Sequence, residues 1–169
     1  MGNRDQVAET RPHEGRVLDE QASALFDEGT AHLAGGRAAD ALPCLRRAFD
    51  LAPAHARVRS SLGVAVALAE RDFEQARDLC ESAVKQEFFN PDLYFNLSRV
   101  YLAFGRRPEA LRYLRRGQMI DPGHAGIQRS LSELGRRRLP VVPFLPRRHP
   151  LNRVFGSARK LVLGPFRAR

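Results

Sequence analysis

Side-chain chemistry needs nucleophiles, bases or ligand groups at spacings that bring them together. Few groups in this 169-residue chain stand in that relation. Its five histidines are scattered. Two of them, His55 and His124, each follow a turn proline at the same distance (Pro53-Ala54-His55 and Pro122-Gly123-His124), which makes them features of a turn and not metal ligands. There is no His-Glu-x-x-His motif, no His-x-x-x-His pair, no glycine-rich phosphate loop and no nucleophile elbow. Aspartates and glutamates fall mostly on the polar faces of predicted helices, without a carboxylate pair set apart for acid–base work. Cys44 and Cys80 lack Cys-x-x-Cys spacing, which argues against a disulfide framework or zinc site and for a reducing compartment. They read as small core residues, with a redox pair as the remote alternative. Asn96-Leu97-Ser98 matches a glycosylation triplet but lies inside a predicted helix. The expectation is a chain with no catalytic residues, no metal, no cofactor and no small-molecule substrate.

The elements that hold these residues carry the stronger signal. A short pattern returns about every 34 residues, the period of a helical solenoid. A small residue recurs at Gly29, Gly63 and Ser98, and a second ladder runs Ala48, Ala83, Gly117. Between them Ala41 recurs as Ala76 and Ala110. Leu51-Ala52-Pro53-Ala54-His55 closes one unit, and Ile120-Asp121-Pro122-Gly123-His124 closes another. Within each unit the apolar residues follow the i, i+3, i+4, i+7 spacing of two amphipathic helices. Gly35-Gly36 suits the end of a first helix, because glycine adopts the left-handed backbone of a C-cap without a Cβ clash. Pro53 stops a second helix. Asn90 and Pro91 suit the cap and first residue of a third-unit helix. The middle unit departs from the pattern in three ways: a residue inserted near Glu70-Arg71-Asp72, Phe88 at the turn-proline position, and Arg59 where a leucine or aromatic residue is usual. Small residues at matched positions of both helices let two backbones approach closely, while larger neighbours fill the grooves.

The chain resembles the tetratricopeptide repeat family at Leu25…Gly29…Ala41…Leu45…Ala48…Pro53 and at Tyr94…Leu97-Ser98…Tyr101…Ala110…Leu114…Gly117…Pro122. The resemblance covers about residues 22–124 and implies an all-α fold, a right-handed superhelical solenoid of three helix-turn-helix repeats at about 22–55, 56–90 and 91–124. Residues 125–138 read as a C-terminal capping helix, with Ile127, Leu131 and Leu134 inward and Gln128, Arg129 and Glu133 outward, covering the last apolar face. The folded domain is thus expected over 21–138.

In this family the first helix of each unit lines a concave face that holds a partner. Carried over by position, that face would present Phe26, Thr30, Arg57, Ser60, Val64, Phe95, Asn96 and Arg99. The implied function is a non-enzymatic scaffold or adaptor that binds a segment of another protein, or the chain's own Leu139–Pro150 stretch. A subset of the family grips a C-terminal carboxylate with a lysine/asparagine clamp. Here Phe26 and Thr30 stand at first-unit clamp positions and Asp92 at a usually basic one, which disfavours that ligand.

The formal net charge of +9 is unevenly placed. From Arg136 onward there are ten basic and no acidic residues, which leaves 18 basic against 19 acidic in the rest. The segment 139–169 is proline-rich at first, then sets Val154, Phe155, Ala158, Leu161 and Val162 at helical spacing among basic residues. It reads as an extended basic tail with a short amphipathic helix. Arg147, Arg148, Arg153, Arg159 and Lys160 are its candidate contacts. Four roles are open to it: docking on the repeats, lying on an anionic membrane surface, binding nucleic acid or the ribosome, or binding a partner protein. Residues 1–20 read as a disordered N-terminal segment without a signal peptide, and no stretch approaches a membrane span. The expected location is cytoplasmic or membrane-peripheral.

Overall fold

A computed structural model of the chain describes residues 18–135, all but Gly135 of them within the first of two compact units, Met1–Leu134. The expectations for residues 1–17 and 136–169 lie outside the described residues. The described residues form seven α-helices and no strand: α1 (Glu20–Ala34), α2 (Ala38–Leu51), α3 (Ala56–Ala69), α4 (Phe73–Gln86), α5 (Pro91–Ala103), α6 (Arg107–Ile120) and α7 (Ala125–Gly135). Consecutive helices pair as α1–α2, α3–α4 and α5–α6, and each pair packs on the next. The all-α helical solenoid expected from the repeat is the fold observed.

The first helix starts earlier than expected. Asp19 accepts a hydrogen bond from the Ala22 amide at 2.6 Å, and Glu20 places an acidic group in the first turn, where the helix dipole favours it. Leu18 packs against the core, so residues 18–20 belong to the folded body and not to a disordered segment.

Both small-residue ladders do what close helix packing requires. A Cβ on Gly63 would stand 2.6 Å from the Cys80 sulfur and 2.8 Å from the Ala76 carbonyl oxygen. One on Gly29 would meet the Leu45 side chain at 2.6 Å. Ala41, Ala48, Ala76, Ala83 and Ala110 are all fully buried beside these crossings. Leu45, Val66, Leu97 and Val100 fill the grooves around them.

The inserted residue of the middle unit is not in the loop. The three intra-unit links are equal in length: Gly35 to Arg37, Glu70 to Asp72, and Phe104 to Arg106. The extra residue lies between Gly63 and the link and is taken up by the last turn of α3. Arg71 consequently occupies the left-handed backbone (φ 61°) that Gly36 (φ 75°) and Gly105 (φ 72°) supply in the other units.

The four-residue turns between units keep their shape even where proline is missing. His55, Asn90 and His124 donate their amides to Ala52, Glu87 and Asp121. Each then caps the next helix: His55 Nδ1 accepts from the Val58 amide, Asn90 Oδ1 from Asp92 and His124 Nδ1 from Ile127. The imidazoles are therefore helix N-caps. Phe88, in the turn without proline, is exposed, and its ring lies 4.3 Å from that of exposed Phe89 in a tilted pair.

Arg59 also fits the repeat. Its guanidinium donates to the Gln86 side chain and the Ala54 carbonyl, as the Tyr94 hydroxyl at the matching position of unit three donates to the Phe88 carbonyl at 3.0 Å. A long side chain with a polar tip serves either way. On α7, Ile127 is fully buried against Gly117, whereas Leu131 and Leu134 are half-buried. The capping helix is observed over 125–135.

Candidate functional site

The first helices α1, α3 and α5, together with α7, line a concave groove of about 600 Å³. Matched positions of successive units build it. Phe26, Phe95 and Arg129 share one register; Asp27, Ser61 and Asn96 share the next; Thr30 and Arg99 share a third; Arg57, Asp92 and Gly126 share a fourth. Phe26, Thr30, Arg57, Phe95, Asn96 and Arg99 thus line one groove, although Phe26 is only 6% exposed and belongs mainly to the core.

Ser60 and Val64 do not line it. Both are fully buried, although they fill the first and third registers of the middle unit. They lie on α3, which packs against both α1 and α5, and Ser61 lines the groove in their place. This corrects the expectation that all eight residues are presented to a partner. Arg147, Arg148, Arg153, Arg159 and Lys160 lie outside the described residues.

Arg129 was legible in principle. Counting the register of Phe26 and Phe95 one unit further reaches it, because α7 is the first helix of an unfinished fourth unit. Facing away from the core and facing the groove are the same direction there. Gly126 has a steric role in the wall: a Cβ at that position would lie 2.9 Å from the Phe95 ring, so its absence lets the ring rest against α7.

The electrostatics of the groove are set by arginines on aromatic faces. The Arg57 guanidinium lies 5.5 Å from the Phe26 ring centroid and that of Arg99 lies 5.8 Å from Phe95. Arg99 is half-buried, and burial lowers its pKa, opposed by the influence of nearby Cys80. Of the two acids in the lining, Asp92 is engaged by His124 Nε2 at 2.9 Å. Because His124 Nδ1 accepts the Ile127 amide, its Nε2 carries the proton donated to Asp92. Among the described residues, Arg57, Arg99 and Arg129 have no carboxylate at ion-pair distance.

Among the described residues, one group of potential metal ligands exists elsewhere. Glu28, His32 and Cys44 bring ligand atoms within 4.8 Å of one another between α1 and α2. The Cys44 thiol is held above its ordinary value by burial first and by the Glu28 carboxylate second. His32 Nδ1 already accepts from Arg37 Nε at 3.1 Å, which ties the imidazole into a surface hydrogen-bond network. Cys80 is fully buried, donates to the Ser60 carbonyl at 3.3 Å, and burial pushes its thiol up to about 12. A buried, protonated thiol is a poor nucleophile.

Fold and groove together define a class: a helical-repeat module with one open, arginine-rich concave surface. The family follows from the sequence itself. Two family models, each described as tetratricopeptide repeat, match residues 26–87 and 67–134. The chain belongs to the tetratricopeptide repeat family, whose members are typically interaction modules and not enzymes. Among solved structures, the first TPR domain of human RPAP3 is similar at a TM-score of 0.56 and 18% identity, over 74% of this chain and 92% of that one. The Arabidopsis OM64 TPR domain is similar at 0.55 and 21%, over 69% and 95%. The first TPR of Spaghetti (RPAP3), bound to the HSP90 peptide SRMEEVD, is similar at 0.54 and 18%, over 68% and 90%. At these identities the likeness is one of fold. The comparison with curated proteins finds no match.

Proposed function

We propose that this protein is a non-enzymatic adaptor that holds an extended segment of a partner protein in the concave groove of its repeats. The observation that carries the reading is the convergence of Phe26, Thr30, Arg57, Phe95, Asn96 and Arg99 on one 600 Å³ surface. The partly exposed Phe95 ring supplies apolar area, and the arginines beside it supply directed hydrogen bonds, the combination that anchors peptide segments. The peptide bound in the Spaghetti structure supports the reading as a precedent for this fold.

The test is partner capture by the full chain followed by mass spectrometry. Phe95→Ala combined with Arg99→Ala should remove the captured partner. Arg115→Ala with Arg116→Ala, two exposed positions outside the groove lining, should leave it in place. Capture unaffected by the groove variant rejects the proposal.

The charge asymmetry supports a second contact, in which the basic residues from Arg136 onward meet an anionic partner. Such binding would weaken steeply with salt and vanish on deleting residues 136–169.

A further inference from the structure

The groove differs from a neutral apolar slot in one respect that determines what can fill it. Three arginines project into its lining from three helices: Arg57 from α3, Arg99 from α5 and Arg129 from α7. The lining offers two carboxylates in return. Asp92 is committed to His124, which leaves Asp27 on α1. Arg99 is the most telling of the three, a half-buried cation packed on the Phe95 ring with no carboxylate at ion-pair distance among the described residues. Withdrawing a guanidinium from water without a counter-charge is costly, and an incoming carboxylate offsets that cost.

The arginines are not presented alone. Arg57 stands over Phe26 and Arg99 over Phe95, so each cationic contact has an apolar surface beside it. An occupant matched to this pattern alternates acidic and apolar side chains along an extended backbone. The chain's own Leu139–Pro150 stretch lacks that match. It carries Arg147 and Arg148 and no acidic residue, so like charges would meet.

Accepting the groove as the partner-binding surface, we infer that it selects an internal acidic–apolar segment of another protein. Arg57 and Arg99 pair with its glutamate or aspartate side chains, while the partly exposed Phe95 ring takes its apolar ones. The ligand is read through side-chain carboxylates, with the backbone continuing on both sides.

Selection of a displayed library of random peptides, about ten residues long, on the full chain tests this. The enriched peptides should carry Asp or Glu next to apolar residues. The best of them, synthesised with blocked ends, should lose about tenfold or more in affinity when its acids become Gln or Asn. Arg57→Gln and Arg99→Gln should weaken the acidic peptide by about as much and leave the amide version unchanged, with circular dichroism confirming that both variants fold.

Enrichment of apolar peptides with no acidic preference overturns the inference while leaving groove binding intact. Enrichment that depends on a free C-terminal carboxylate also overturns it. Enriched peptides whose binding survives Phe95→Ala with Arg99→Ala overturn the groove reading itself. Binding of peptides without acidic preference by a chain lacking residues 139–169, where the full chain binds none, shows the tail to be the occupant and rejects the acidic segment.

Discussion

At the scale of residues, this protein's two thiols sit in different environments and should behave differently. Cys80 is fully buried with a thiol pushed up to about 12, whereas Cys44 is half-buried near an exposed carboxylate. A maleimide should label Cys44 in the folded chain and reach Cys80 only after unfolding; equal labelling rates would contradict the buried placement. The raised value also has a stability consequence. The folded thiol binds its proton more tightly than the unfolded one, at 9.0, so its contribution is intact below pH 9 and declines as pH rises toward 12. Between about pH 7 and about pH 10 the chain should lose on the order of 1 kcal/mol more than a Cys80→Ala variant, as read by urea unfolding. The histidines belong to this scale too. Their shared phase identified them as repeat features, and the coordinates supply the reason: an imidazole nitrogen can cap a helix as Asp or Asn does.

At the scale of elements, helix contacts are governed by what is absent from the crossing points. Gly63 faces a backbone carbonyl oxygen at 2.8 Å, which cannot yield as a side-chain end can. Gly117 faces the terminal carbon of Ile127. Gly63→Ala should therefore cost about 1–3 kcal/mol in denaturant unfolding, and more than Gly117→Ala. Equal costs would mean that α3 and α4 separate more freely than their packing indicates. The small-residue ladders were readable because each helix repeats the same crossing. The site of the inserted residue was not, since a one-residue excess can be absorbed by a loop or by one more helical position. Helical hydrogen bonding of the last turn of α3 decided it, at the expense of placing Arg71 in a left-handed conformation.

At the scale of the whole molecule, α7 has two duties. It covers the end of the stack by burying Ile127 against Gly117, and it supplies Arg129 and Gly126 to the groove. A chain ending at Pro122 should unfold at a Tm several degrees lower and bind more of a hydrophobic dye, in line with the ~2–3 kcal/mol carried by one buried isoleucine. An unchanged Tm would show that the cap is dispensable. The concave surface belongs to this scale as well, because no single unit contains it. Its registers are filled by helices about 34 residues apart, so its charge is a property of the stack.

The sequence by itself determined the repeat, the helix pairs and the turns between units, each from local periodicity or from a residue's own backbone preference. The groove positions came from the family resemblance, and six of those eight line the groove. Only the tertiary structure decided which positions of the middle unit reach the surface. Ser60 and Val64 occupy the right phase, but they lie on the helix packed against both α1 and α5 and are fully buried. It likewise decided that Arg57, Arg99 and Arg129 meet in one groove, because distance across helices is set by packing and cannot be read along the chain.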